Sequence, residues 1–397
     1  MRRGFFVIIF PILLCTCSIF GSSGKDPVIA EGLCKIEVDG KTNLPGNFYL
    51  SFVFSRNLIM LDGKGNIVWS KHENPVPGNP NTGFWDFKKH VINGKTYYSY
   101  HDQTGAYDSF GLMGFAPGER VILDKNFKEI KRITFEASSV TAKGTPLDGH
   151  DFLMIDLDHY ILSGYIKDKV YNVPGYPGGS SVVYSYLQEV KNGNVVWDWK
   201  SVDYPQLYDL TVTDASDVAN DFANAVTDIP DYVHFNSMRL DKDGNLVCSF
   251  RHLNSIICLN RKASSSQILW ILSGNGDQFG LSEDQKTSSQ HYVTLDGKYI
   301  TAFDNGNRNK RTRIISYCID TDSKKLTSFH SHAVPDKFSV ACGSVQHLSG
   351  ETYMIGWGWA TKDAECMSVV DFSADKTLLH VYLENPNNIT YRCVYYD

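Results

Sequence analysis

The most constraining feature of this sequence is a strand–turn–strand pattern that recurs along almost its whole length. In its clearest form an apolar run ends at Asp or Asn, a turn follows, and a second run of β-branched residues closes on tryptophan. Self-similarity of this kind is typical of folds built from one repeated unit. The copies of this pattern cover residues 58–69, 121–133, 187–197, 256–270, 317–326 and 369–379.

A second pattern alternates with the first and consists of a strand, a tight turn and a return strand. Its copies begin near residues 85, 149, 233, 290 and 343. Together the two patterns make units of about four strands that recur every ~50–70 residues, which predicts an all-β, six-bladed β-propeller. Ring closure in such a fold leaves no free sheet edge between blades. We expect the propeller over residues 47–397, after a lead-in over 24–46.

The N-terminus has the layout of a secretory signal peptide, which we place at residues 1–23. Arg2 and Arg3 precede an apolar run over 5–14, and small residues follow over 18–24. This apolar run is too short for a stable membrane span. We therefore expect an exported protein, periplasmic or secreted, with lipid anchoring through Cys17 as the weaker alternative.

Composition narrows the class of protein further. The chain has 397 residues, 42% of them hydrophobic, and a net charge of −6 without a Lys/Arg stripe, which argues against a nucleic-acid partner. The cysteines after the leader form no CxxC pair, so a zinc ribbon is not indicated, and their disulfide pairing stays open. These are Cys34, Cys248, Cys258, Cys318, Cys342, Cys366 and Cys393.

Three histidines occupy the same position in three consecutive copies of the second pattern: His150, His234 and His291. The innermost strands of a propeller line its channel and all start at the same face, so we expect these side chains to share one funnel. Asn236 follows His234 by two residues and faces the same side by the period-two rule. Arg251 ends the next strand and can return to the same rim.

Several chemistries suit this set of residues. Imidazoles bind zinc and copper, arginine beside histidine suits an oxyanion, and a neutral histidine can itself be a nucleophile. Each histidine could also be a structural polar group satisfied by backbone, which is the interpretation we give to the others, His252 included. The glycine-containing stretch 274–280 has the wrong spacing for a phosphate-binding loop, so a nucleotide donor is disfavoured and no cofactor is predicted.

Two other features are assigned more simply. The long inserts over 171–181 and 204–231 are interpreted as loops on one face, where binding residues tend to collect. Residues 216–226 within the second insert are the best candidate for a short helix. Five aromatic residues could stack on a phenol or a sugar, although such residues are more often core. They are Phe152, Phe235, Tyr292, Trp357 and Trp359.

The motifs that carry these residues resemble the bacterial aryl-sulfate sulfotransferase family. The similar stretches are 149–152, 234–236 with 247–251, 270–274, 290–291 with 303–306, and 343–346, in the same order and spacing, and the resemblance covers the chain from about residue 48 onward. It implies a six-bladed propeller that moves a sulfuryl group from a phenolic ester to another phenol, without a nucleotide donor. It further implies that His291 is the nucleophile, that Arg251 and Asn236 hold the sulfuryl oxygens, and that His150 and His234 assist proton transfer.

The chain departs from some members of that family in two respects. Only a short lead-in precedes the first blade, where some members carry a dimer-forming β-domain, so the oligomeric state stays open. No cysteine lies between residues 272 and 290, where some members have a disulfide. Two alternatives remain: a metal-dependent hydrolase or lyase using the same histidines, and a non-catalytic propeller that binds an anionic glycan or a protein.

Overall fold

The computed structural model describes residues 27–110, 113–212, 228–264, 267–360 and 364–397. These residues form short antiparallel strands, four 3₁₀ helices and no α-helix. The 3₁₀ helices are Ser201–Asp203, Pro205–Leu210, Arg251–Leu253 and Asn307–Asn309. The strands are β1 (Ile36–Gly40), β2 (Asn47–Phe52), β3 (Asn57–Asp62), β4 (Ile67–His72), β5 (Phe84–Ile92), β6 (Lys95–Gln103), β7 (Gly118–Leu123), β8 (Glu129–Ile133), β9 (Phe152–Asp156), β10 (His159–Val170), β11 (Ser180–Lys191), β12 (Asn194–Lys200), β13 (Asp228–Asp231), β14 (Phe235–Leu240), β15 (Leu246–Phe250), β16 (Ser255–Leu259), β17 (Ile268–Leu272), β18 (Tyr292–Asp296), β19 (Tyr299–Asp304), β20 (Arg313–Asp320), β21 (Lys325–His332), β22 (Ser344–Ser349), β23 (Thr352–Gly356), β24 (Glu365–Asp371), β25 (Lys376–Leu383) and β26 (Thr390–Tyr396).

The strands form six sheets, which confirms the predicted six-bladed β-propeller. From the channel outward, blade 1 is β26-β2-β3-β4, blade 2 is β5-β6-β7-β8 and blade 3 is β9-β10-β11-β12. Blade 4 is β14-β15-β16-β17, blade 5 is β18-β19-β20-β21 and blade 6 is β22-β23-β24-β25. The first strands of neighbouring blades contact one another around the ring, so β26, β5, β9, β14, β18 and β22 surround a central channel.

The ring closes through the C-terminal strand. β26 pairs antiparallel with β2, with Tyr49 opposite Val394 and Leu50 opposite Cys393, so blade 1 takes its innermost strand from the end of the chain. Within the lead-in, β1 pairs with β25 and adds a fifth, outer strand to blade 6. The sequence patterns did not identify either pairing.

The recurrent aspartate in the repeats has a direct physical reason. The Asp62 carboxylate accepts hydrogen bonds from the backbone N–H groups of Lys64 and Asn66, both at 2.9 Å. Asp124 makes the equivalent contacts in blade 2, which is the Asx-turn geometry that fixes a tight reversal. Each blade can therefore form its outer hairpins locally, and the apolar faces then pack blade against blade.

Some of the expectations fall on residues outside those described. The leader over 1–23 and the helix over 216–226 belong to this group. Among the described residues, no helix is long and apolar enough to cross a bilayer. The first insert is a loop between β10 and β11, and the second contributes β13, whose last residue is Asp231. None of the seven described cysteines forms a disulfide.

Candidate active site

One end of the channel brings together the three histidines of the repeated position. His150 lies two residues before β9, and His234 and His291 come directly before β14 and β18. The ring centroids of His150 and His234 are 4.9 Å apart, and those of His150 and His291 are 6.2 Å apart. All three residues are at least 95% buried. The structure therefore places these predicted residues in one funnel.

A cavity of about 230 Å³ lies above the three histidines. Asn236 and Arg251 also line it, so all five predicted site residues meet there. The opposite wall is apolar and is made by Trp85, Tyr107 and Trp359, with Phe54 behind them at ring-centroid distances of 5.0 Å from Tyr107 and 5.9 Å from Trp359. The cavity thus joins a polar floor to an aromatic wall, an arrangement that suits a planar ligand with one charged end.

His291 is held in one defined orientation. Its Nδ1 lies 2.8 Å from the carbonyl oxygen of Gly343, and since a carbonyl only accepts, Nδ1 carries the proton. Nε2 is then the unprotonated nitrogen, and it is buried without a hydrogen-bond partner among the described residues. Burial, followed by the charge of Arg392 and the neighbouring His150, lowers the pKa of His291 well below 6.5. His291 therefore presents a neutral imidazole with an available lone pair.

The position of that acceptor carbonyl requires glycine at 343. Gly343 has φ +93°, and a Cβ there would lie 2.3 Å from Cε1 of Phe303, which is too close for any real contact. Cys342 before it also has a positive φ, of 60°. The start of β22 is thus bent so that the Gly343 carbonyl reaches His291, rather than continuing the strand ladder.

His150 and His234 each face a buried carboxylate. The Nδ1 of His150 hydrogen-bonds Asp148, whose Oδ1 also accepts the His150 backbone N–H at 3.0 Å. The Nδ1 of His234 hydrogen-bonds Asp231, which also accepts the His234 backbone N–H at 2.9 Å. A carboxylate on Nδ1 fixes the ring and its tautomer and directs Nε2 to the other side. Both rings are therefore oriented for proton exchange through Nε2.

The two carboxylates differ in their electrostatic environment. Burial alone would raise the pKa of Asp148, but His150 and the backbone N–H of Ala116 lower it overall. Burial raises the pKa of Asp231 to about 6, against the opposing effect of His252. Asp148 is thus the more firmly ionised of the two carboxylates.

Arg251 and Asn236 support the segment that leads into His291. The Arg251 guanidinium donates to the carbonyl oxygens of Ser289 at 2.7 Å and Val340 at 2.9 Å. Asn236 donates through Nδ2 to the Gln290 carbonyl at 3.0 Å. The Oδ1 of Asn236 is buried and has no hydrogen-bond partner in the described part of the chain. Both residues therefore hold the backbone that directly precedes His291, and both also line the cavity.

Several site residues were not found from the sequence. His252 was interpreted as structural, but it lines the cavity, its ring centroid lies 4.7 Å from that of His234, and its Nδ1 donates to the Asp231 carbonyl at 2.5 Å. Its position directly after Arg251 was the only available clue. Of the five aromatic candidates, Trp359 lines this cavity, whereas Phe235 and Trp357 are core.

Asp231, His234 and His252 form a set that could hold a metal ion. One ligand atom from each lies within 4.8 Å of the others, and two histidines with one carboxylate are a common ligand set for zinc and iron. The Nδ1 of His234 is hydrogen-bonded to the Asp231 carboxylate, and the Nδ1 of His252 is hydrogen-bonded to the Asp231 carbonyl oxygen. A metal here would have to replace those hydrogen bonds.

The fold and this cavity define a class of closed β-propellers with a histidine-lined pocket at one end of the channel. The family model described as Arylsulfotransferase (ASST) matches residues 105–367. Because that match spans well over half of the chain, this protein belongs to the arylsulfotransferase family.

Similar solved structures are distant. A protein of unknown function from Bacteroides caccae is 10% identical with a TM-score of 0.45, over 89% of this chain and 99% of that one. A streptogramin B lyase is 8% identical with a TM-score of 0.42, over 91% and 98%. At these TM-scores neither similarity supports a functional argument. No curated protein matches the chain.

Proposed function

We propose that this protein is an exported aryl-sulfate sulfotransferase that passes a sulfuryl group from a phenolic sulfate ester to another phenol through a sulfated His291. The observation that carries the proposal is the geometry of His291, with Nδ1–H bound to the Gly343 carbonyl and Nε2 buried without a partner in the described structure. Family membership supports the substrate class. Export rests on the basic and apolar pattern of the leader.

The first step is attack of His291 Nε2 on the sulfur of the donor. The N–S bond forms as the S–O bond to the phenol breaks, and the departing phenolate takes a proton from the Nε2 of His150 or His234. The Asp148 carboxylate holds the His150 ring through Nδ1, which leaves Nε2 to act as the proton donor. In the second step the acceptor phenol gives its proton back to that histidine, and its oxygen takes the sulfuryl group from His291.

The remaining residues of the cavity would stabilise and orient the transferring group. Charge in a loose transition state lies on the outer oxygens and on the leaving group, where fixed donors are most effective. Arg251 and Asn236 are the cationic and amide groups on the cavity floor that can supply this stabilisation. The wall of Trp85, Tyr107 and Trp359 would hold the aromatic ring of donor or acceptor in turn. A single cavity used twice predicts ping-pong kinetics.

The test of the proposal is intact mass spectrometry after brief mixing of the protein with 4-nitrophenyl sulfate and no acceptor. We expect a gain of one sulfuryl group that peptide mapping places on His291 and that is absent from the His291→Ala variant. Addition of a phenol should remove the adduct. The proposal fails if nitrophenol is released in the presence of acceptor while no adduct forms, or if the adduct survives in His291→Ala.

The lowered pKa of His291 predicts the pH dependence of the first step. The reactive form is neutral, and a pKa well below 6.5 keeps His291 neutral as the solution becomes mildly acidic. We therefore expect the rate of the single-turnover burst to stay nearly constant between about pH 7.5 and pH 5.5, whereas an ordinary histidine would lose most of its neutral form over that range. Stopped-flow measurement of nitrophenol release at constant ionic strength checks this, and a tenfold fall would contradict it.

A metal-dependent hydrolase is the second candidate function, because Asp231, His234 and His252 form a possible ligand set. The proposed transfer needs no metal, so dialysis against EDTA should leave the rate unchanged, and His252→Gln should lower it only modestly. The metal-dependent alternative predicts loss of activity in both experiments and recovery of the dialysed enzyme with zinc. The metal content of the protein should be measured before and after dialysis. This shows whether an unchanged rate means that the metal was not removed or that its removal has no effect.

A further inference from the structure

The channel has a second mouth at the end opposite the three histidines. A cavity of about 420 Å³ lies there and shares no lining residue with the cavity above His291. Every innermost strand contributes to it, through His90, Met154, Arg239, Thr294, Gln346 and Tyr396. Its size is within the range of small-molecule sites. The second mouth is therefore a separate cavity, formed by the same ring of strands.

A buried layer of charged residues lies behind this second mouth and carries an excess of cations. Asp86 pairs with Lys88, Arg120 and Arg392, each at 2.9 Å. Asp151 pairs with Lys88 and with Arg239, the latter at 3.0 Å. Four cations thus face two carboxylates. Burial lowers the pKa of Lys88, but even with Lys88 neutral three guanidinium groups remain against two carboxylates.

Arg239 places part of this excess positive charge at the second mouth. Its guanidinium carbon lies 4.4 Å from the centre of the Tyr292 ring, which fixes the plane of the group. Its hydrogen bonds to Asp151 and to the Met238 carbonyl both use Nη1, so Nε and Nη2 have no partner among the described residues. One acidic side chain, Asp296, also lines this cavity, and it is hydrogen-bonded to His347.

Further donors around the same cavity also lack partners. The hydroxyl oxygen of Thr294 is buried, with no hydrogen bond to any described residue. The hydroxyls of Tyr292 and Tyr396 likewise make none within the described structure. Leu153, Met154 and Leu295 supply apolar surface beside them. A buried donor without an acceptor, such as the Thr294 hydroxyl, is costly, and a ligand that brings an acceptor would remove that cost.

We propose that the second mouth of the channel is a binding site for a small organic oxyanion, such as a carboxylate or sulfonate on an apolar body. The charged group would lie between Arg239 and the hydroxyls of Thr294 and Tyr396, and the apolar body against Leu153, Met154 and Leu295. The bidentate edge of a guanidinium matches a planar or tetrahedral oxyanion. This proposal is independent of the sulfotransferase chemistry, because the two cavities are lined by different residues.

The test uses 4-bromobenzoate as the probe, in titration calorimetry with the full-length protein and in crystals. We expect saturable binding that becomes weaker by about tenfold or more in the Thr294→Val/Tyr396→Phe double variant, since each change removes only a hydroxyl. Arg239→Gln should abolish it. His291→Gln, at the other mouth, should leave it unchanged. Anomalous scattering from bromine should place the probe beside Leu153 and Leu295.

Three results would overturn the proposal. These are no saturable heat in the wild-type protein, unchanged affinity in the double variant, and a bromine peak found only above His150, His234 and His291. The double variant keeps every charge of the buried layer, so it should fold even if Arg239→Gln does not. A thermal unfolding scan of each variant without probe verifies this before the titrations are compared.

Discussion

Replacement of His291 by alanine should lower the rate of sulfuryl transfer by ~10⁴-fold or more, as expected when a covalent nucleophile is removed. The reason is that the variant loses the unprotonated Nε2 of His291, which is buried without a hydrogen-bond partner among the described residues. His150 and His234 are each bound to a carboxylate through Nδ1, in the arrangement of proton-transfer groups. The measurement is kcat/KM with 4-nitrophenyl sulfate and a phenolic acceptor.

Two further variants make that result specific. His291→Gln retains a side-chain donor for the Gly343 carbonyl but has no nucleophilic nitrogen, so we expect it to fold normally and to be as inactive as His291→Ala. His347→Gln changes a histidine on the innermost strand β22 at the far mouth and should retain full activity. If His291→Gln kept more than about a tenth of the wild-type kcat/KM, the nucleophile would have to be sought elsewhere.

Replacement of Asp151 by alanine should lower the free energy of unfolding by ~3–5 kcal/mol, the usual cost of removing one partner of a buried ion pair. The Asp151 carboxylate accepts hydrogen bonds from Lys88, from Arg239 at 3.0 Å and from the backbone N–H groups of Met238 at 2.8 Å and Phe152 at 2.9 Å. Its removal leaves the cations of the channel facing Asp86 alone. Urea unfolding followed by tryptophan fluorescence measures the change.

A surface ion pair provides the matched control for Asp151. Asp158 pairs with Lys131 at 2.9 Å, but its side chain is 71% exposed, so Asp158→Ala should cost less than about 1 kcal/mol. Equal losses in the two variants would contradict the importance assigned to the buried layer. The comparison applies if both variants unfold in one cooperative step, because the linear extrapolation of urea data to water assumes two states.

The same carboxylate predicts how stability responds to acid. Burial alone would raise the pKa of Asp151, but Lys88, Arg239 and Arg392 lower it overall. A lowered folded-state pKa gives stability that is present above the unfolded value, near 3.9, and is lost as the pH falls below it. In the Asp151→Ala variant this part of the acid sensitivity should be missing.

The sequence predicted the elements that form locally. The aspartates at the turns, Asp62 and Asp124 among them, mark hairpins that need only neighbouring backbone, and the recurrence of this pattern was enough to count the blades. His150, His234 and His291 were placed together because a closed ring brings equivalent positions to one face. These inferences use only short-range geometry and the symmetry of the repeat.

The parts that the sequence did not reveal depend on contacts between distant segments. Blade 1 takes β26 from the other end of the chain, and nothing in its local pattern indicates that it pairs with β2. The Gly343 carbonyl reaches His291 only because the backbone bends at positive φ before β22. Asp231 comes from an insert without repeat pattern, so its contacts with His234 and His252 could not be predicted.

The origin of β26 also determines when the candidate site can be completed. Tyr391 on this strand donates to the His150 carbonyl at 2.7 Å, and Arg392 donates to the Asn236 carbonyl at 2.7 Å while its charge lowers the pKa of His291. β26 is the last of the described strands to be synthesised. A chain in which β26 has not yet paired with β2 therefore lacks these contacts, and its candidate site is incomplete.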